Sequence, residues 1–137
     1  MKKSRFLSFV IVIVAYVLAL LIGLFIFTLN LTNSFFINVL LADVVATIFI
    51  FLTSLIFKNA SIYDPYWSVA PIFIVFFSLK YFKNYHPLTI ILFVVICIWG
   101  VRLTLNWAYT FKSLLHQDWR YTMFKNKTGK MYPLVNF

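Results

Sequence analysis

The run FLSFVIVIVAYVLALLIGLFIF at residues 6–27 carries no charged side chain. It is long enough to cross a lipid bilayer as a helix, which takes about 20 apolar residues. The basic residues Lys2, Lys3 and Arg5 precede it. A signal peptide has the same charged start, but its apolar core is only about 7–15 residues long and a small-residue cleavage site follows. The run has no clear site of that kind, so it predicts a first transmembrane helix.

Three more apolar runs follow, separated by short polar connectors. Because these runs approach the length of a spanning helix, the sequence predicts an all-α, multi-pass transmembrane helical bundle with about four transmembrane helices. We expect a single transmembrane domain over residues 1–137. Its helices are predicted at about residues 6–28, 35–57, 66–82 and 88–111, followed by a basic polar tail at 112–137.

The composition excludes a soluble globular domain. Hydrophobic residues make up 64% of the chain and charged residues 11%, whereas soluble domains carry about a quarter charged residues. The net charge of +9 is typical of some nucleic-acid-binding proteins, but the Lys and Arg residues lie mostly beside apolar runs, as membrane topology requires. We therefore expect an integral membrane protein whose partner is the lipid bilayer and not nucleic acid, in the cell membrane if the source is bacterial.

Cysteine and histidine are too few for a disulfide or a metal centre. The one cysteine, Cys97, lies inside an apolar run, and His86 and His116 are the two histidines. No metal site is expected.

The distribution of basic residues predicts an orientation. With a cytoplasmic N-terminus, all but Lys80 and Lys83 of the 12 Lys and Arg residues lie on the inner side, as the positive-inside rule favours. The opposite orientation stays open. In both, residues 62–71 and 102–120 lie on the same side of the membrane.

The stretch WGVRLTLNWAYTFKSLLHQDWRY at residues 99–121 adds a polar face to an apolar helix. Its polar residues recur at steps of three and four, which predicts one continuous stripe along a helix. Arg102 is costly against lipid and should face protein, water or a ligand. It either snorkels towards the headgroups or pairs with Asp64 or with an anionic ligand that both residues share. The stripe comprises Arg102, Asn106, Tyr109, Ser113, His116 and Arg120.

The three acids of the chain are Asp43, Asp64 and Asp118. Asp43 lies about 13 Å into the second predicted helix, so its carboxylate needs a partner or a proton. It is either a helix-packing residue or an acid that relays protons or contacts a ligand. Asp64 precedes Pro65, as at a helix start where a carboxylate caps free N–H groups and proline takes the first helical position. Asp118 belongs either to a solvated helix end or to a polar site.

The aromatic residues that follow Asp64 have two interpretations. Tyr66 and Trp67 are typical anchors at a membrane boundary. Pro71 should bend the same helix soon afterwards, and a short helix interrupted by proline indicates a binding site in membrane proteins. Both interpretations stay open.

Three separated motifs carry a family resemblance. They are SIYDPYWSVAP at residues 61–71, WGVRLTLNWAYT at 99–110 and HQDWRYTMFKNKTGKMYPLVNF at 116–137. In this order they resemble the bacterial-type branch of the steroid 5-alpha-reductase superfamily, and the resemblance covers about residues 40–137. It implies an all-helical membrane enzyme, an NADPH-dependent CH-CH oxidoreductase, that reduces a carbon-carbon double bond of a lipid-like small molecule.

The resemblance also implies roles for single residues. The catalytic proton donor would be one of Asp64, Tyr66 and Asp43. Guanidinium groups suit a cofactor phosphate because of their fixed fork of donors. The implied substrate-binding residues are Trp67 and Trp107, and the implied NADPH-binding residues are Arg102, Asn106, Asp118, Arg120 and Tyr121.

Members of that superfamily continue for several more helices, which carry an Arg-His-Pro-Asn-Tyr-like segment. The chain resembles their N-terminal portion, so we expect a truncated reading frame or half of a split protein. Its partner would then be a missing C-terminal half, and the chain alone would be inactive.

Three alternatives stay open. A four-helix chain with Asp43 embedded in the membrane also describes a small membrane transporter. A fragment of a membrane methyltransferase that uses S-adenosylmethionine would share the architecture. The last alternative is a membrane fragment without activity.

Overall fold

The computed structural model describes residues 4–114, 116 and 119–129. These residues form five α-helices and one short 3-10 helix, and no strand occurs among them. The prediction of an all-α fold is confirmed. In chain order the elements are α1 (Arg5–Thr28), α2 (Phe35–Ile56), the 3-10 helix (Ala60–Ile62), α3 (Tyr66–Phe82), α4 (Pro87–Thr110) and α5 (Trp119–Thr128).

Four helical segments are long and apolar enough to cross a membrane: α1, α2, α4, and α3 taken together with the 3-10 helix. Local chemistry explains where they begin and end. Ser4 Oγ accepts the N–H of Leu7 at 3.2 Å at the start of α1, and Pro87 occupies the first turn of α4. Asn30 and Lys58, in the left-handed backbone region, follow α1 and α2. The observed limits of α1 to α4 lie within one residue of the predicted ones.

The segment after α4 differs from the prediction. The chain leaves the helix at Phe111, which is extended with ψ 114° and is buried. Ser113 and His116 then pair as an isolated bridge, and α5 begins only at Trp119. The predicted continuous polar stripe is therefore wrong, because its members lie on two helices and the turn between them. Part of the predicted polar tail is helical.

The chain forms two compact units. Unit 1 comprises Met1–Tyr63 and Lys112–Phe137, and unit 2 comprises Asp64–Phe111. Unit 2 is therefore a single helical hairpin of α3 and α4 that is inserted into the sequence of unit 1.

In unit 1, α1 packs on α2 through small residues. A Cβ at Gly23 would lie 3.5 Å from the carbonyl oxygen of Ala42 and 3.6 Å from Cβ of Ala46, the close approach that small residues allow. The buried Asn38 closes the turn between the helices. Its Oδ1 accepts the N–H of Thr32 at 2.9 Å, and its Nδ2 donates to the carbonyl of Thr32 at 2.8 Å.

Candidate functional site

Unit 2 brings two of the three sequence motifs to one end of its hairpin. The hydroxyl groups of Ser68 in α3 and Thr104 in α4 lie 2.9 Å apart, and the rings of Phe76 and Phe93 are 6.2 Å apart. The helices are therefore antiparallel. The start of α3, with the first motif, lies beside the last turns of α4, with the second.

Pro65 sets the start of α3. Its carbonyl accepts the N–H groups of Ser68 at 3.1 Å and Val69 at 3.0 Å, so Pro65 itself is the N-cap residue. The prediction that Asp64 would be the cap and Pro65 the first helical residue is wrong by one position. Asp64 is half-buried just before the helix.

The aromatic pair that follows has one buried and one exposed member. Tyr66 is 6% exposed and Trp67 is 58% exposed. Their rings meet edge to face, with centroids 6.3 Å apart. Together with Asp64 they place a carboxyl, a phenol and an indole at one helix start, an arrangement suited to an amphipathic small molecule.

A glycine brings α4 unusually close to α3. A Cβ at Gly100 would lie 2.5 Å from the carbonyl oxygen of Ser68 and 2.7 Å from Cδ1 of Ile72. Only glycine fits at that distance. Gly100 and Thr104 therefore mark the side of α4 that faces α3.

The Ser68–Thr104 contact links the two motifs and can be tested. Ser68 Oγ donates to the carbonyl of Pro65 at 3.0 Å, so the Thr104 hydroxyl donates to Ser68. We expect a double-mutant cycle of Ser68→Ala and Thr104→Val, measured by unfolding in micelles, to give a coupling of about 0.6 kcal/mol, typical of hydrogen bonds between membrane helices. Additive effects would show that this bond does not join the helices.

Arg102 and Asn106 lie on the other side of α4. At 3.6 residues per turn, Arg102 is about 200° around the helix from Gly100. Both side chains are exposed, and no described residue forms a hydrogen bond or ion pair with either of them. Of the alternatives open for Arg102, the ion pair with Asp64 is therefore not formed, because Arg102 lies on the side of α4 away from α3. Trp107 is half-buried and stacks on Phe111 at 4.7 Å between centroids.

The other predicted site residues belong to unit 1. Asp43 is half-buried in α2. Tyr121 is half-buried on α5. Asp118 and the side chain of Arg120 lie outside the described residues. The catalytic and binding roles of all these residues stay predictions.

Sequence reasoning missed a buried polar side chain with several partners, Asn59. It is 1% exposed, and its Oδ1 accepts the N–H of Ser61 at 3.0 Å. Its Nδ2 donates to three carbonyls, those of Ser113 at 3.3 Å, Leu114 at 2.9 Å and His116 at 3.3 Å. No local pattern distinguishes Asn59 from an ordinary turn residue, since these carbonyls lie 54 to 57 positions away.

Two further contacts attach α1 to the same region of unit 1. The buried Ser8 accepts the N–H of Leu114 at 3.1 Å. Tyr16 donates its hydroxyl to the carbonyl of Ile62 at 2.9 Å. Within unit 1, these contacts join α1 to the segments that precede α3 and follow α4.

Arg102 and Asn106, two of the residues predicted to bind NADPH, do not lie beside the Asp64–Trp67 motif. Arg102 and Asn106 offer donor groups appropriate to a phosphate, but they lie on the side of α4 away from α3. Within the described part of the chain, they therefore do not fit NADPH bound against the Asp64–Trp67 motif. Among the described residues there is also no group of three or more His, Cys, Asp or Glu side chains that could hold a metal ion.

Comparison with known proteins identifies a family. No curated protein and no solved structure matches the chain. The family described as "Protein of unknown function (DUF1295)" matches residues 50–137, which include the 3-10 helix and all of α3, α4 and α5. That family is related to steroid 5-alpha-reductase-like proteins, in agreement with the resemblance of the three motifs. Since the match covers more than half of the sequence, the chain belongs to the DUF1295 family.

Proposed function

We propose that this chain is an integral membrane protein that binds a lipid-like small molecule at the start of α3 and takes part in reducing its carbon-carbon double bond with NADPH. The observation that carries the proposal is the Ser68–Thr104 contact at 2.9 Å. It joins, in one hairpin, two of the motifs that the chain shares with a reductase-related family.

Membrane insertion is supported by the four apolar helical segments. Each contains a window of high mean hydropathy with at most two charged residues. Many large apolar side chains are exposed on these helices, which is unfavourable in water but appropriate in lipid. For a bacterial source the location would be the cell membrane.

The binding role rests on the three groups at the start of α3. The exposed indole of Trp67 would contact the apolar body of the ligand, as aromatic residues do in most small-molecule sites. The phenol of Tyr66 and the carboxyl of Asp64 would contact a polar group of the ligand. NADPH would supply a hydride when bound.

The test is binding and reduction measured on the purified chain in lipid nanodiscs. We expect a 3-keto steroid with a conjugated double bond to quench tryptophan fluorescence saturably. Tyr66→Phe should weaken binding by about threefold to tenfold, since one neutral hydrogen bond contributes about 0.5–1.5 kcal/mol. Tyr85→Phe, the same change at an exposed loop residue, should leave the affinity unchanged.

Addition of NADPH tests the redox half of the proposal separately. Formation of the reduced product, two mass units heavier, would support it. Binding without reduction would contradict the reductase role and leave a lipid-binding membrane protein. Equal affinities for the wild type and Tyr66→Phe would contradict the assigned site.

A further inference from the structure

Three residues of α4 form what we call the outward stripe: Arg102, Asn106 and Tyr109. They lie about one turn apart on the side of the helix away from α3. Arg102 and Asn106 are exposed, and Tyr109 is 85% exposed. In the part of the chain that the structure describes, no group forms a hydrogen bond or ion pair with the side chain of Arg102 or Asn106.

Arg102 lies well below the surface of a bilayer that α4 would cross. The helix has 24 residues and is therefore about 36 Å long, against about 30 Å for the hydrocarbon layer. The Cα atom of Arg102 is about 12 Å from the C-terminal end of α4 at Thr110. It therefore lies about 9 Å inside the nearer hydrocarbon boundary, where an arginine without a partner is costly.

Snorkelling does not remove this cost easily. In an α-helix every Cα–Cβ bond tilts towards the N-terminus. The nearer membrane surface, however, is at the C-terminal end of α4. The side chain of Arg102 therefore starts in the direction away from the headgroups. A hydrogen-bond acceptor that enters the bilayer as far as Arg102 would stabilise the guanidinium group better than snorkelling does.

The surroundings of the outward stripe resemble a lipid-facing surface. Only 6% of the apolar window of α4 is buried, against 17–33% for the other three candidate spans. Large apolar side chains beside the stripe are exposed, among them Ile98 at 65% and Leu105 at 63%. Acyl chains can contact these residues while a headgroup contacts the polar ones.

The chemistry of the stripe favours an anion. A guanidinium group and a carboxamide, one turn apart, supply donors that match phosphate oxygens, and Tyr109, in the last turn, lies at headgroup level, where tyrosine is typical. A second copy of the chain is a poor source of the anion. The described acids, Asp43 and Asp64, are both half-buried.

We propose that the outward stripe of α4 binds the phosphate group of an anionic phospholipid, drawn inward along Tyr109 and Asn106 to Arg102. The inference rests on the proposed membrane insertion of α4 and is independent of any reductase activity. It assigns Arg102 and Asn106 to the surrounding lipid and not to a cofactor.

The test is native mass spectrometry of the delipidated full chain after titration with phosphatidylglycerol or phosphatidylcholine. We expect the wild type to prefer phosphatidylglycerol. Arg102→Gln should weaken phosphatidylglycerol binding by about tenfold, as expected for loss of a charged hydrogen-bond partner, and Arg102→Lys by less. The matched control is Lys80→Gln, which removes one charge from an exposed position in α3 and should bind like the wild type.

Several results would overturn the proposal. One is equal binding by Arg102→Gln and Lys80→Gln, and another is equal affinity of the wild type for the two lipids. Displacement of phosphatidylglycerol by inorganic phosphate would indicate a site for a soluble anion. Loss of an oligomer in Arg102→Gln, with lipid binding unchanged, would show that a protein partner covers the stripe. Alkaline carbonate extraction checks insertion separately, so failure of the proposed membrane location is distinguishable from failure of lipid binding.

Discussion

Replacement of Asn59 by leucine is expected to lower the free energy of unfolding by about 3–5 kcal/mol, because it removes the Asn59 contact from two buried backbone groups at once, the N–H of Ser61 and the carbonyl of Leu114. Asn59 is 1% exposed and its two side-chain polar atoms contact four backbone groups. Leucine has a similar volume but forms no hydrogen bonds. Each buried backbone group that loses its partner costs about 1–3 kcal/mol.

The measurement is an SDS titration of the purified protein in mixed micelles, followed by near-UV circular dichroism. The control is Asn33→Leu, the same change at an exposed position in the turn before α2, which should alter stability by less than about 0.5 kcal/mol. Asn59→Asp tests the contact of Oδ1 and the contacts of Nδ2 separately. It retains an acceptor for the N–H of Ser61 but places a negative charge against three carbonyls, so it should also be strongly destabilising. Wild-type stability of Asn59→Leu would show that this contact does not hold unit 1 together.

Gly100→Ala is expected to destabilise the protein by about 2 kcal/mol, although alanine is the better helix former. Alanine in place of glycine contributes about 1 kcal/mol to helix stability. A Cβ at Gly100, however, would lie 2.5 Å from the carbonyl oxygen of Ser68. That oxygen belongs to the backbone of α3 and cannot rotate away, so the two helices must separate. Overpacking of this kind costs about 1–3 kcal/mol or more, and separation would also strain the Ser68–Thr104 bond one turn away.

Gly23→Ala is the matched control for this prediction. It makes the same change in α1, but the nearest atoms to its Cβ would be 3.5 Å and 3.6 Å away, at ordinary contact distance. We expect Gly23→Ala to be neutral or stabilising by up to about 1 kcal/mol. The two variants are compared in the same SDS titration. Equal effects of the two variants would contradict the close approach of α3 and α4.

The proposed ligand site and the proposed lipid site have different structural support. The contact between the start of α3 and the last turns of α4 rests on Ser68, Thr104 and Gly100, and it brings two motifs distant in sequence to one end of the hairpin. The outward stripe rests on the side of α4 that no described residue covers. A variant of Tyr66 and a variant of Arg102 therefore test different surfaces of one hairpin.

The amino-acid sequence by itself determined the helices. Residues 6–27 and the three later apolar runs contain few charges and are interrupted by polar connectors, and a helix in lipid forms wherever such a run is long enough to pair its own backbone groups. The charge content and the length of a run both depend only on residues that are neighbours in sequence. The break at Phe111 was missed because it depends on contacts outside the local sequence, where Phe111 is buried and the next residues are held by Asn59 and Ser8.

Only the tertiary structure decided which side of each helix faces protein. The spacing of Arg102, Asn106 and Tyr109 predicted a shared face but not its direction. Gly100, on the opposite side of α4, lies close to Ser68, so the shared face points away from α3. The position of Asn59 likewise has no local signal, because its partners Ser113, Leu114 and His116 are distant in the chain. Helix formation depends on neighbours in sequence, whereas the packing of faces and the satisfaction of buried polar groups depend on neighbours in space.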